Sequence, residues 1–545
     1  VYQKPLRWIE LLDDLTSVEF LLAVTVAGRE FYFSTRPLTV PTETGSIVYR
    51  GGLAARWTDA LNLFNYSPTL LAIPLEIIFP VDVAELVARG FNLWRGVGEL
   101  SLWVEGRTYE ERIVLMRGSM VEPTYGALNE PVKFSLEANG FQDTSLVLGP
   151  TQRVLAGVTW PSPIDSENAY YPIVFGTPGA YSDLTGGMLY VPGSPALVVE
   201  NPAGNDYLAV IAAHPVQATE VVISNSSKAG VAWGATVTLE TDDLDQQVSI
   251  ASYTTGGFDY DVGDQLQVIW YDTTVGAPTG ALWNDHHTAP RTGAGELINY
   301  FLRRSTLETD AGTWRSIASE LDQQFKFSGY VNEPCSAWEY IDDNFLPLLP
   351  VSVYATGEGI SVSYWRREAI ASDIVGTVST GGGAARVGPI TYEKQEILND
   401  IRLSYALSLQ DRSHKMTRGV VGDRETFPAD DVGRVLFSSS FSRASYLSFG
   451  THAETITSDV VYETATATNV LEWMHRAAAF PHRVVRYDVP IRLGFLRRGN
   501  LILLTDHEVH MEDQVCIVRD VSWIDGRPRL TLLIMADPPR DDRQG

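Results

Sequence analysis

From Arg483 onward the chain alternates apolar and polar positions in long runs, with Val485, Tyr487, Val489, Ile491 and Leu493 on one side of a predicted strand and Arg486, Asp488 and Arg492 on the other. A period of two with one wet side marks a half-buried strand. Val515, Ile517, Val521 and Trp523 repeat the pattern, and Asp525-Gly526 offers a tight turn into Leu530, Leu532 and Ile534, which predicts a hairpin. A helix is expected just before, over residues 469–479. Upstream, Ile401, Leu403, Tyr405, Leu407 and Leu409 alternate with Arg402, Ser404 and Ser408 as another long strand with one wet face.

The start of the chain follows the same plan. Phe20, Leu22, Val24 and Val26 alternate up to Gly28, and Glu30 to Phe33 returns as the second arm of a hairpin. Residues 73–79, 100–104 and 113–116 read as further strands, with a turn at Glu105-Gly106. Val83, Leu86 and Val87 lie at helical spacing within 81–89. Between about 158 and 290, short apolar runs at 220–223, 231–239 and 265–271 are separated by Gly, Pro, Thr and Asp, the pattern of an all-β module expected to project from the main body.

From 291 to about 383 the period lengthens. Leu297, Tyr300 and Phe301 form one helical face, and Trp314, Ile317, Leu321 and Phe325 another. Ser336-Ala337-Trp338-Glu339 fits a capping box opening a third helix, which Pro347 and Pro350 end. Residues 351–354 and 360–365 then form a hairpin around Gly357-Glu358-Gly359, and Gly381-Gly382-Gly383 reads as a flexible joint. The expected fold is mainly β with α+β parts and several domains. Barrel-like domains over 1–157 and 386–545 flank an acidic all-β module, 158–290, and an α+β middle domain, 291–385.

A length of 545 residues with 45% hydrophobic and 20% charged positions is ample for several cores and typical of globular chains. The formal charge of −26 is unevenly placed. Trp160 to Pro290 holds fifteen acidic residues and one basic residue, Lys228, whereas Leu471 to Gly545 has eleven of each sign. Gripping phosphates needs Lys and Arg, so this balance opposes nucleic-acid binding and favours solubility. The first fifteen residues mix Lys4, Arg7, Glu10, Asp13 and Asp14 with apolar positions, giving no expected secretion signal or spanning helix and suggesting synthesis in a cytoplasm.

Candidate chemistry is thin. Cys335 and Cys516 are too far apart in sequence to suggest a disulfide framework or thiolate metal site, and both are expected to be buried thiols. His507 and His510 have the wrong spacing for a helical zinc motif and would point to opposite faces if the preceding strand continued. Asp285-His286-His287 lacks a distant partner. Asp259, Asp261 and Asp264 suggest calcium, but Gly263 stands at a ligand position and a turn accounts for the same residues. Glu333, Glu339, Asp342 and Asp343 cluster near Trp338 and Tyr340, yet on a helix Glu339 and Asp343 share a solvated face. No nucleophile elbow or phosphate loop occurs. Catalytic, metal and cofactor residues are therefore all expected to be none. Arg497-Arg498, ahead of Gly499-Asn500, is either a solvated loop tip or, with Arg486 and Arg492, an assembly surface meeting an acidic neighbour.

The run Arg483–Asp506, with its turn Leu496-Arg497-Arg498-Gly499-Asn500 and the strand after it, resembles the closing domain of baseplate or tail-tip hub proteins of long-tailed bacteriophages. Tyr170–Gly176, Arg291–Leu302 and Asn332–Trp365 resemble earlier parts of the same proteins. The resemblance is one of domain order over most of the chain. It implies a non-enzymatic virion protein, a homotrimer whose two barrel-like domains per subunit form a pseudo-sixfold ring continuing the tail tube. The implied partners are a distal tail protein above, a central fibre or tip protein below, and a tape-measure protein or passing DNA in the lumen. Some hubs of this family hold an iron–sulfur centre; two cysteines cannot supply four ligands, so none is expected here. Two other readings come from different classes: a distal tail or adhesin protein holding host glycan through 158–290, and a glycosidase using Glu339 and Asp343.

Overall fold

The computed structural model describes residues 18–535, less 27, 55–57, 61–71, 78–95, 125–131, 139–146, 149–167, 184, 204–205, 217, 229, 242–246, 256–260, 262–263, 271–291, 305–310, 357–358, 366–368, 393–396, 423–433, 438–439 and 525–526. The architecture is mainly β, built of nearly closed, barrel-like sheets with few helices. The helix expected over 81–89 lies outside the described residues, as do Asp285-His286-His287.

Val18–Val26 pairs with Arg29–Ser34 as the hairpin its alternation predicts. The full sheet runs Arg29–Ser34, Val18–Val26, Val97–Val104, Ile113–Thr124, Val132–Ala138, Ala72–Ile77 and Leu53–Ala54. Its two edges nearly meet, because Arg50 bridges Phe33 on the first edge and the chain then reaches Leu53 on the last through Gly51 and Gly52. Phe20, Leu22, Val24 and Val26 face a core, while Leu21 and Trp103 on the opposite face are covered by the small hairpin of Leu38–Thr42 and Gly45–Tyr49.

A second sheet closes by a similar device. Ser194–Pro195 pairs with Leu266–Ile269, and Leu197–Ala203, its continuation, pairs with Asp206–Ala212 on the other side. One extended stretch thus spans the seam of a barrel completed by Gln247–Thr254, Ala232–Thr241 and Glu220–Asn225. Its interior holds Val198, Ala209, Ile211, Trp233, Val268 and Trp270, with Trp270 Nε1 donating to Ser194 Oγ at 2.8 Å.

This barrel does not stand off from the body, contrary to the expectation of a projecting module. Val199, Val210, Val248 and Ile250, on its outer face, share a core with Phe175, Leu297 and Phe301. The alternate residues of the same strands face inward, so both sides are buried, which explains the unbroken apolar run from Leu208 to Ala213. Val174 N–H also donates to His214 Nε2 at 3.1 Å, and Gln267 Nε2 to Leu409 O at 3.1 Å.

The helices of the middle segment form where periodicity places them, Ala294–Arg304, Ala311–Gln324 and Ala337–Asn344. Leu297, Phe301, Ile317, Leu321 and Phe325 are buried; the side chain of Trp314 lies outside the described residues. Ser336 Oγ accepts from Glu339 N–H at 3.4 Å, which supplies the Ser side of the anticipated cap. Val351–Thr356 and Gly359–Tyr364 pair as predicted.

The last sheet runs Ile374–Ser379, Leu501–Asp506, Met511–Ile524, Arg527–Ile534, Arg483–Asp488 and Ala385–Arg386. Gly381-Gly382-Gly383 is not a loose joint: Thr380–Gly382 is a 3-10 turn leading from one edge strand to the other, Gly383 is left-handed, and Arg492 Nη2 donates to Gly382 O at 2.8 Å. Met511–Ile524 and Arg527–Ile534 form the expected hairpin, although its turn residues are not described. Val515 departs from the predicted face and is exposed, because the strand shifts register between Val518 and Asp520. The strand expected to reach Leu493 stops at Asp488. Pro490 cannot donate to a ladder, and Ile491–Leu493 turns as a 3-10 helix.

A smaller sheet of Arg434–Phe437, Ser413–Val420, Asp400–Ser408 and Ala453–Thr457 carries the Thr464–Ala478 helix, which begins earlier than its sequence signal. Ile401, Leu403 and Tyr405 are buried as expected, but Ala406 takes a positive φ of 61° and the phase slips, burying Ser408.

Candidate functional site

The terminal sheets meet in one continuous core. Phe20, Leu22, Leu100 and Phe134 of the first belong to the same apolar cluster as Tyr487, Val518, Trp523 and Leu532 of the last. Phe20 and Trp523 contact edge to face, with ring centroids 5.0 Å apart. The backbone also crosses over: after Leu53–Ala54 closes the first sheet, Thr58–Ala60 pairs antiparallel with Ser522, Val521 and Asp520 of the last. Sequence reading missed this joint. Its one local signal was Trp523, the one aromatic residue in the Met511–Ile524 strand.

A buried polar group braces the last sheet from within. Asp506 is fully buried; it accepts from Tyr487 OH at 2.6 Å and lies 3.3 Å from Arg386 Nε, whose Nη2 reaches Glu508 at 2.9 Å. Burial, then the Asp506 hydrogen bond, pushes the Tyr487 hydroxyl far up, so it stays a donor.

The four arginines assigned to an assembly surface separate. Arg486 and Arg492 are exposed, Arg497 is half-buried, and Arg498 is buried at 3% exposure, so the turn is not a solvated tip. It plugs into the Val351–Tyr364 hairpin instead. Gly499, at φ 77°, lets the backbone pass where a Cβ would sit 2.4 Å from Ser352 Cβ, and Trp365 Nε1 donates to Gly499 O at 3.0 Å. Asn500 is fully buried; its Oδ1 accepts from Arg497 N–H at 2.8 Å, and its Nδ2 donates to Ser363 Oγ at 3.0 Å and Tyr354 OH at 3.3 Å. Asn500→Ala leaves those groups unanswered in a buried joint, and urea unfolding should show a loss of about 2–3 kcal/mol.

The remaining chemical candidates resolve into structure. His507–Val509 is a 3-10 turn at the surface end of the Leu501–Asp506 strand; Asp506 Oδ1 caps it by accepting from Glu508 N–H at 3.0 Å, and His510 is left-handed at φ 55°. Asp261 and Asp264 hold Lys228 Nζ at 2.9 and 3.3 Å, and Asp264 also accepts from Asn225 Nδ2 at 2.7 Å. Burial opposes charge on Asp264, but the Asp261 N–H, Asn225 and Lys228 outweigh it and hold the carboxyl below its usual range. A lysine thus pairs with two of the three aspartates considered for calcium; Asp259 and Gly263 lie outside the described residues. Glu339 and Asp343 are exposed on one helix face, while burial, and secondarily Asp343, raises Asp342 to about 6. Burial pushes the Cys516 thiol up to about 12. Cys335 is only half-buried rather than buried, its thiol raised to about 11 by burial and by Glu339. Among the described residues, no three His, Cys, Asp or Glu side chains are placed to hold a metal ion, and no helix is long and apolar enough to cross a membrane.

No protein-family model and no curated protein matches the chain. Among solved structures it is similar to a 43 kDa tail protein of prophage MuSo2 from Shewanella oneidensis, at 9% identity over 95% of this chain and 98% of that one, with a TM-score of 0.30. A chain of the virion of a native gene transfer agent particle aligns at 13% identity over 47% of this chain and 80% of that one, TM-score 0.20. A chain of the p2 virion baseplate in its activated conformation aligns at 11% identity over 68% and 99%, TM-score 0.13.

Proposed function

We propose that this chain is a non-enzymatic structural protein of a bacteriophage tail, the hub at the tail tip or baseplate. Three copies form a ring that continues the tail tube. The single observation that carries the reading is the common core of the two terminal barrel-like sheets, joined at Phe20 and Trp523 and by the Thr58–Ala60 crossover. A subunit that must present two wall pieces to a closed ring needs them held at a fixed angle, and a continuous apolar core does that where a linker would not. The sequence resemblance to tail hubs supports the same role.

In this reading the wall pieces come from about 1–157 and 386–545, with 158–290 and 291–385 packed beside them. The ring sits between a distal tail protein and a central fibre or tip protein. A tape-measure protein, and later DNA, passes through the lumen, where the negative surplus discourages phosphates from adhering. The chain acts in the virion after synthesis in the host cytoplasm, and gates genome ejection by holding the ring shut until the tip rearranges. Arg486 and Arg492, the exposed members of the arginine set, contact an acidic neighbouring subunit.

Native mass spectrometry of the full chain tests this, with a species at three times 60.1 kDa expected. Arg486→Glu with Arg492→Glu should weaken the trimer, more at low salt than at high, because exposed charges act through a screened field. A chain that stays monomeric at every concentration and in the presence of tail components contradicts the proposal.

A further inference from the structure

The Ser440–Phe449 helix docks by aromatic rings and a buried serine onto the end of the Thr464–Ala478 helix and the residues after it. Its Phe441 meets the ring of His475 edge to face at 5.3 Å and Phe480 at 4.8 Å, and Phe449 reaches Phe480 at 5.9 Å. Ser445 Oγ donates to Ala479 O at 2.6 Å and receives Asn399 Nδ2 at 3.2 Å. Tyr446 lies so close over Gly422 that a Cβ there would be 2.3 Å from the tyrosine Cβ. The outer side of the helix is open, with Leu447 at 73% exposure.

His475 is the odd member of this contact. It is 4% exposed, and among the described residues its Nε2 has no hydrogen-bond partner. Its own helix carries Glu472 and Arg476 beside it, the short helix carries Arg443, and the sheet beneath carries Arg402 and Arg418, but burial alone governs the ring and none of these charges offsets it. His482, seven residues on, is also buried, and its Nε2 pairs with Ala477 O at 2.6 Å. A neutral imidazole fits this aromatic pocket. A protonated one brings a charge and an N–H with no acceptor.

We propose that Ser440–Phe449 is an acid-released element, latched by the neutral ring of His475 and freed when that ring takes a proton, which uncovers Phe441 and Phe480. Burial lowers the group to about 4 from an ordinary 6.5. A depressed folded value means the latch is fully closed above about 6.5 and loosens as pH falls toward 4, by about tenfold in opening per pH unit for one coupled proton. The inference does not depend on the ring proposal, and its failure leaves that proposal untouched.

Hydrogen exchange read by mass spectrometry on the full chain tests it, as protection factors corrected for intrinsic rates between pH 7 and 4. Peptides covering 440–449 should lose about tenfold protection per pH unit below 6.5, while those from Glu220–Asn225 stay level. In His475→Phe, and in His475→Leu should the larger ring disturb packing, the loss should vanish. A pH-independent helix in the native chain, the same pH slope in both variants, or an equal loss across the whole chain each overturns the proposal.

Discussion

Trp523→Ala is expected to lower the unfolding free energy by about 3–5 kcal/mol, the range for removing a large buried aromatic from a core that cannot collapse around the gap. Trp523 is 2% exposed, rests on Phe20 of the other terminal sheet, and packs so closely on Gly494 that a Cβ there would lie 2.6 Å from the indole. The informative readout is where the loss appears. Because the two sheets share one core, hydrogen-exchange protection should fall together in Val18–Val26 and in Arg527–Ile534. Loss confined to the last sheet would mean that the sheets touch without sharing stability.

The second large effect belongs to Phe345. Its ring stacks on Phe327 at 5.0 Å and on Phe301 at 5.6 Å, while Tyr340 and Phe175 meet it edge on at 5.6 and 6.1 Å. Those residues come from the Ala294–Arg304 and Ala337–Asn344 helices, the segment after Gln324, and the Ile173–Phe175 strand. Phe345→Ala should therefore cost about 3–5 kcal/mol by deleting the centre of an aromatic stack. Chemical denaturation should show a lowered transition in which the middle helices and the outer face of the acidic barrel lose protection together. An unchanged midpoint would mean the stack closes over the gap or contributes little.

Local period made much of this fold readable. Phe20 to Val26, the Val351–Tyr364 hairpin and the 511–534 hairpin follow from a period of two in residue type, which marks a strand even where the second face is covered in the fold, as at Ser352 and Ser361. The failures have one physical source, which is burial imposed from a distance. Leu208 to Ala213 is buried on both faces, so its sequence cannot say that one side fills a barrel and the other packs on the body. Arg498 reads as a surface cation, yet the turn that carries it is pulled inward by Gly499 and Asn500 docking on a hairpin over 130 residues earlier in the chain. Thr58–Ala60 has no pattern of its own, and its pairing with Asp520–Ser522 is set by where the first sheet closes. Three glycines at 381–383 suggested slack, whereas they form a turn between the two edges of one sheet in which Gly383 is left-handed.

The most direct test is an image of an assembled tail tip at a resolution that traces this chain. Three copies should surround a continuous channel, each contributing its first and last sheets as neighbouring, similarly tilted wall segments, so that six such segments close the ring. Copies outside the channel wall, or a ring in which only one of the two sheets faces the lumen, would contradict the account.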